Sequence, residues 1–395
     1  MRIALVNDYS LTRIGGAVTS MLEQKKALEQ AGHTVFLIQL GERQPERTYD
    51  DSHFFYIKPH FYMTDSLYNM PMLFARKKHD RLIKNILVEN DIDIVHVQTE
   101  LTLGHLVTRV ANILGIPVFH TIHTFFWAYG PTFINPYVAA ISRFLFQIAV
   151  REKLIQLKPE GTPMERFLKS ITLNVAVHAD MVISPSGHQM KSLKKAGLKT
   201  PISVVPNPFI PQKNDATPLK TTRHKLRFVW IGRLDNEKRP LDFLEGVKQA
   251  HERTSLPFMV DIVGEGILSA KAKRRYSLPN VTFHGHTPHN KVVKLIDTSD
   301  MVVMSSYHFD NQPMVIAEAI SRLRPVLFCD ERLTEGVDIA GYLTKNETAE
   351  AFADALIDLI EHPEKVAALA KKTPIAARIF EPTTFAKTMT QLYKS

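Results

Sequence analysis

The chain has 395 residues, 45% of them hydrophobic and 23% charged. That composition excludes a disordered chain and leaves room for two ordinary domains. One cysteine, Cys329, excludes an internal disulfide framework and a cysteine zinc cluster, and fits a reducing compartment. The net charge is +9, and residues 101–200 hold eleven Lys and Arg against four Asp and Glu. Such a face suits nucleic acid, an anionic membrane or a phosphorylated substrate, or is a solvated surface with no partner.

In chain order, RIALVN (2–7) is too short for a signal-peptide core and reads as a first buried strand. Over AVTSMLEQKKALEQAG (17–32), Val18, Met21, Leu22 and Leu28 recur near helical spacing, and Gly32 is a stop. The strand-like runs TVFLIQL (34–40), IDIVHVQ (92–98), PVFHTI (117–122) and DMVISP (180–185) follow, with helical stretches between them. Strands alternating with helices predict parallel βαβ units. The alternation restarts at LRFVWIG (226–232) and continues through a helix from Pro240 and the strands FMVDIVG, NVTFHG, DMVVMSS and RPVLFCD. The fold class expected is therefore α/β with two consecutive domains, over 1–210 and 211–380. The Pro-, Lys- and Thr-rich segment 207–225 marks the boundary, and a terminal helix over 381–395 is expected to pack back on the first domain.

Two insertions interrupt the first domain. Residues 60–87 combine aromatic residues and methionines with Arg76, Lys77, Lys78, Arg81 and Lys84. Residues 125–158 put Tyr137, Ile141, Phe144, Leu145 and Ile148 on one helical face, with Arg143, Gln147, Arg151 and Lys158 largely off it. Each reads as an amphipathic helix in a membrane surface, or as an ordinary surface helix packed on the core or on a second copy. Two in one domain tilt the balance toward surface binding. Ser142, Arg143 and Gln147 interrupt the apolar run 137–150, which is too short to span a bilayer.

Gly15 and Gly16 open the first long helix, where a bare backbone and free N–H groups suit an anion. The nicotinamide fingerprint G-x-G-x-x-G is absent from this place. In VWIGRLDNEKRP, Gly232 permits a tight turn at a strand's C-terminal end, and Arg233 and Lys238 follow on the loop. Ligands of open α/β sheets bind at this edge. Two cations there suit a diphosphate, or make surface salt bridges to Asp235 and Glu237. His120 and His123 lie at another strand end, near Gln98, Thr99 and Glu100. They can hydrogen-bond a substrate or be structural. No spaced ligand set points to a metal. In YHFDNQPMVIAEAISRLRPV (307–326), Asp310 lies in a loop, and Asn311, Gln312, Pro313 and Met314 lead into a helix. Glu318 stands among apolar neighbours and needs donors if it is buried. The vicinal hydroxyls of a ribose are such donors. Alternatively Glu318 is exposed and Asp310 only caps the helix.

Taken in order, these motifs resemble the family-4 retaining glycosyltransferases of the GT-B fold, in which two Rossmann-like domains face across a cleft. Asp310-x7-Glu318 stands at the family's E-x7-E motif, and Gly15 and Gly16 at its Gly-Gly turn. Gly232, Arg233 and Lys238 stand at its G-R-x5-K element, and His123 at its N-domain histidine. ISPS (183–186) and VVPNP (204–208) resemble its segments before the linker. DIDIVHVQTELTLG and IPVFHTIHTFFW more closely resemble the matching stretch of bacterial diacylglycerol glucosyltransferases and related lipid glycosyltransferases, which are monotopic and bind anionic membranes. The chain departs from the pattern at Asp310, one methylene shorter than glutamate, and at Arg324, where the family carries glycine.

The resemblance implies a nucleotide-sugar donor in the second domain, UDP-glucose favoured and GDP-mannose open, and an acceptor in the first. Arg233, Lys238 and the helix N-termini at Gly16 and 311–314 would stabilise the diphosphate leaving group, with neither metal nor cofactor. Glu318 would hold the ribose, Asp310 the sugar hydroxyls, and His123 the transferred sugar. The expected protein is a retaining, metal-independent hexosyltransferase with a lipid or glycan acceptor, peripheral on the inner face of the cell membrane. A polysaccharide or teichoic-acid acceptor, a hydrolysing sugar-nucleotide epimerase and a non-catalytic partner subunit are the alternatives.

Overall fold

The computed structural model describes residues 1–9, 16–41, 53–64, 69–125, 135–156, 161–211, 219 and 225–395. The chain divides into two compact units, Met1–Asn207 with Phe385–Ser395, and Pro208–Thr384.

Unit 1 is built on strands β1 (Arg2–Asn7), β2 (Thr34–Leu40), β3 (Phe54–Ile57), β6 (Ile94–Val97), β7 (Val118–Thr121), β8 (Met181–Ser184) and β9 (Ile202–Val204). They form one parallel sheet in the order β3-β2-β1-β6-β7-β8-β9. Alternate side chains of a strand point to opposite faces. Ala4, Val6, Phe36 and Ile38 therefore enter one core, and Ile3, Leu5, Val35 and Leu37 the other. Helices α1 (Gly16–Gln30), α2 (Lys77–Glu89), α3 (Thr102–Leu114), α4 (Pro136–Val150), α5 (Pro163–Val177) and α6 (Gly187–Lys195) connect the strands. The C-terminal helix Pro382–Leu392 sends Phe385 and Met389, with Tyr393 just beyond it, into the core shared with Ile3 and Leu5. The Tyr393 hydroxyl lies 2.6 Å from His96 Nδ1.

The insertion 60–87 is not one helix. An antiparallel hairpin, β4 (Phe61–Thr64) with β5 (Asn69–Met72), precedes α2. Pro59 and Pro71 explain the break, since proline lacks the N–H that a helix interior needs.

Unit 2 repeats the plan with β10 (Leu226–Ile231), β11 (Phe258–Val263), β12 (Val281–Gly285), β13 (Met301–Met304), β14 (Val326–Phe328) and β15 (Gly341–Leu343). The parallel order is β12-β11-β10-β13-β14-β15. Helices α7 (Pro240–Arg253), α8 (Ser269–Arg275), α9 (His289–Thr298) and α10 (Met314–Ser321) lie between them. Phe228, Trp230 and Val303 fill one face, and Val229, Val302 and Met304 the other.

Candidate active site

In each sheet the strand order reverses beside the first strand. The connections that leave two neighbouring strands there go to opposite faces, so a crevice opens at the strands' C-terminal ends. In unit 2 the reversal falls between β10 and β13, and the sequence-predicted residues gather there.

Lys238 ends the loop after β10, and Asp310 lies in the loop after β13. The ammonium donates to Oδ1 of Asp310 at 2.6 Å and to Oδ2 at 2.8 Å. The Ser306 hydroxyl donates to the same carboxylate. Trp230 Nε1 donates to Ser305 Oγ at 2.8 Å, and that hydroxyl donates to the Lys238 carbonyl at 2.6 Å. The two loops are thus fastened through side chains that start in the core. Phe309 places its ring centroid 5.2 Å from the ammonium, within cation–π range. Arg233 pairs with Asp235 at 2.9 Å. Asp235 Oδ1 in turn accepts from the Ile267 N–H at 3.2 Å.

A glycine pair in VGEG makes this arrangement possible. Gly264, after β11, has φ +124°, and a Cβ on it would stand 1.9 Å from the Gly232 carbonyl oxygen. A Cβ on Gly266 would stand 2.4 Å from Asp235 Oδ1. The loops after β10 and β11 touch backbone to backbone, which only glycine permits. The sequence signal, two glycines flanking one residue straight after a strand, was there and was not used.

Pro313 caps α10, and Glu318 lies in the second turn, buried. Its partner is His289, whose Nε2 lies 2.7 Å from Oε1. His289 opens α9, far away in sequence, and no local pattern points to it. Asn311 is buried, and Gln312 and Met314 are half-buried at the same end of α10.

Arg324 is held by backbone carbonyls at the ends of two helices. It is 2% exposed and donates to the carbonyls of Ser299 at 2.8 Å, Arg322 at 3.0 Å and Leu323 at 3.2 Å, and also to that of Asp297. The left-handed residue of this turn is Leu323, at φ +59°. An arginine at position 324 is therefore a fastener for the ends of α9 and α10. Among the described residues one trio, His308, Asp330 and Glu331, brings possible metal-ligand atoms within 4.8 Å of one another. Arg332 already grips Asp330, its Nη2 donating to Oδ2 at 2.7 Å.

In unit 1 the reversal falls between β1 and β6. Asp8, after β1, accepts the N–H groups of Leu103 at 2.6 Å, Gly104 at 3.1 Å and Leu101 at 3.2 Å, and the Thr99 hydroxyl at 2.8 Å. It closes the N-terminus of α3 from a distant part of the chain. Burial pushes its carboxyl up to about 6 despite those donors. Glu100, buried against the Thr172 hydroxyl at 2.9 Å, is pushed by burial up to about 7. Thr99 and Glu100 are thus both buried, Thr99 on Asp8 and Glu100 on Thr172.

His120 is fully buried, with no hydrogen-bond partner on either ring nitrogen among the described residues. His123, half-buried just beyond β7, has Nε2 2.7 Å from Gln98 Oε1. Burial lowers its imidazole to about 4, so the ring is neutral. Gly16 begins α1 and is exposed, while Gly15 lies outside the described residues.

The two insertions part company. The apolar residues Ile83, Ile86 and Leu87 of α2 enter the core with α3, so α2 is an ordinary packed helix with a basic outer face. Helix α4 buries Ala139, Phe146 and Val150 but leaves Tyr137, Ile141, Phe144, Leu145 and Ile148 at least half exposed. It carries no acidic residue. Its Arg143 turns inward to the carbonyls of Leu154 and Ile155 at 2.7 and 2.8 Å. The C-terminal end of α4 lies against the start of α2, where the Ala75 N–H donates to the Ala149 carbonyl at 2.7 Å. The exposed Arg76, Lys77 and Lys78 stand beside that junction.

Two doubly wound parallel sheets in tandem, with ionic side chains gathered at the second one's reversal point, define the architecture of GT-B glycosyltransferases. HepE of Anabaena, solved with UDP, matches over 100% of both chains with a TM-score of 0.70 at 14% identity. The lipopolysaccharide outer core galactosyltransferase WaaB matches over 99% of this chain and 98% of its own, with a TM-score of 0.66 at 18% identity. The family model for glycosyltransferase family 4 matches residues 14–213, and that for glycosyl transferases group 1 matches residues 225–362. The chain belongs to glycosyltransferase family 4. It is 25% identical to an alpha-monoglucosyldiacylglycerol synthase of Streptococcus pneumoniae, over 92% of this chain and 80% of the relative. It is 21% identical to the enzyme of that name from Acholeplasma laidlawii, over 100% of this chain and 96% of the relative.

Proposed function

We propose that this glycosyltransferase moves a hexose, glucose favoured, from a UDP-sugar to a membrane lipid such as diacylglycerol, with retention of anomeric configuration and without a metal or cofactor. The observation that carries the reading is the Lys238–Asp310 pair at the reversal point of unit 2. An ammonium has three N–H donors, and two already go to Asp310. The third would meet a diphosphate oxygen, with Arg233 beside it. Both cations stabilise the charge that grows as the sugar–phosphate bond breaks. The N-terminus of α10, with Asn311, Gln312, Pro313 and Met314, would supply N–H groups to the same charge, and that of α1 at Gly16, preceded by Gly15, would offer an anion site in unit 1. Gly232 and Gly264 would let the backbone approach the nucleotide. Asp310 would accept from sugar hydroxyls, and Glu318, oriented by His289, from the ribose. His123 would touch the transferred sugar.

The names of the sequence relatives support a glucosyl lipid product, and α4 supports an acceptor at a bilayer. No helix among the described residues is long and apolar enough to cross a membrane. The stripe on α4 is instead suited to lie in the surface of a membrane, with the basic residues of α2 toward anionic head groups. On this reading the enzyme would lie peripherally, on the cytoplasmic face where nucleotide sugars are made. The test is transfer from radiolabelled UDP-glucose, UDP-galactose and GDP-mannose to diacylglycerol in phosphatidylglycerol vesicles, with and without chelator. An α-glucosyl lipid formed in the presence of chelator is expected. Sugar release with no lipid product would overturn the acceptor assignment.

A further inference from the structure

Two consecutive serines after β13 hold one lysine from both of its ends. Ser305 Oγ donates to the Lys238 carbonyl at 2.6 Å and accepts from the Trp230 indole N–H at 2.8 Å. Ser306 Oγ donates to Oδ2 of Asp310, and Asp310 takes two of the three N–H donors of the Lys238 ammonium. Ser305 is 1% exposed, and Ser306 and Trp230 are each 2% exposed. All of these residues belong to unit 2.

An ammonium on a flexible four-carbon stem ordinarily samples many positions. Lys238 is half-buried, closes the single 3₁₀ turn Asn236–Lys238 and precedes Arg239, which is left-handed at φ +50°. A residue other than glycine stays in that conformation only where its surroundings hold it there. The Ser305 hydroxyl, anchored on a core tryptophan, holds the peptide group between Lys238 and Arg239. The Asp310 carboxylate, steadied by Ser306, holds the ammonium. A stem fixed at its carbonyl and at its tip has little freedom left to lose when an anion arrives, and that saving appears as affinity for the anion. Two hydroxyls that served only to close the end of β13 would have no reason to converge on one lysine in the loop after β10.

We propose that Ser305 and Ser306 are positioning residues that pre-set Lys238 for the diphosphate of the donor, Ser305 through the lysine backbone and Ser306 through Asp310. This rests on the role given to Lys238 above. Without either hydroxyl the ammonium remains, but it is no longer fixed where the diphosphate needs it.

The test is titration calorimetry of the full chain with UDP, arranged as two double-mutant cycles, with circular dichroism to check that each variant is folded. Ser305→Ala and Ser306→Ala should each weaken UDP binding about five- to tenfold, and Lys238→Met should weaken it at least as much. In the Lys238→Met background, either serine substitution should change UDP affinity by less than about twofold, because the group it positions is gone. A substitution that merely loosened the fold would weaken UDP binding equally with and without Lys238. UDP affinity within about twofold of the wild type in either alanine variant, or an undiminished effect of either in the Lys238→Met background, overturns the proposal. Undiminished UDP binding by Lys238→Met overturns instead the diphosphate role of Lys238, and with it the purpose of the two serines.

Discussion

Moving from pH 7 to pH 5 is expected to destabilise unit 1 by at least about 2 kcal/mol, and Glu100→Gln to add about 2 kcal/mol to that loss. His96 and His120 are lowered by burial from 6.5 to about 3, and His123 from 6.5 to about 4. Each is neutral in the folded state at both pH values, whereas the unfolded chain takes up protons below 6.5. The stability they contribute is whole above 6.5 and falls as the pH drops toward their folded values. At about 1.4 kcal/mol per pH unit, each loses about 2 kcal/mol over this interval. Asp8, raised from 3.8 to about 6, and Glu100, raised from 4.5 to about 7, act with the opposite sign. Their contribution is whole below the unfolded values and is lost as the pH rises through the folded ones. On acidification they return about 3.5 kcal/mol together, rather more than half of it from Glu100. His33, His60 and His79, also lowered by burial, add to the acid loss. The net change corresponds to a fall in Tm of roughly 4–8 °C for a unit of this size. Calorimetry of the full chain at constant ionic strength reads it directly. Glu100→Gln keeps an acceptor for the Thr172 hydroxyl and removes the titration. A Tm that rises from pH 7 to pH 5, or a Glu100→Gln slope equal to the wild type's, would refute the balance.

Lys238→Ala should lower kcat by about 10²- to 10³-fold, as removal of one transition-state donor does, and Glu318→Ala should abolish transfer. Both should leave the circular dichroism of the fold unchanged, and near-wild-type turnover in either refutes the site. Arg324→Met should destabilise unit 2 by about 2–4 kcal/mol, because buried carbonyls at the ends of α9 and α10 lose their donors. UDP affinity, measured by titration calorimetry below the lowered Tm, should not change. The double substitution Ile141→Glu with Phe144→Glu should abolish co-sedimentation with phosphatidylglycerol vesicles while leaving Tm within a degree or two, since both side chains are more than half exposed. Undiminished vesicle binding would move the membrane contact away from α4.

Much of the fold was legible in the chain because strand and helix periods are local. The runs RIALVN and LRFVWIG alternate with helical stretches as a parallel sheet requires, and both became first strands next to a reversal of strand order. The hairpin β4–β5 was missed where aromatic and methionine content outweighed Pro59 and Pro71. The motif residues Lys238, Asp310 and Glu318 were visible from type and spacing, and the pairing of Lys238 with Asp310 follows from the loops after β10 and β13 being neighbours.

By itself the sequence determined the two βαβ series, the cations at the end of one strand, the carboxylates around one helix and the amphipathic character of two insertions. These depend on residue type and on periods of two or of three to four, which a single segment carries. Tertiary structure alone decided which side chains meet. His289 reached Glu318, Gln98 reached Gln24 and Gln24 reached Asn207, Arg324 fastened the ends of α9 and α10, and α4 rather than α2 kept its apolar face outside. Such contacts join residues tens to hundreds of positions apart, and their partners follow from strand order and packing, which no local spacing encodes.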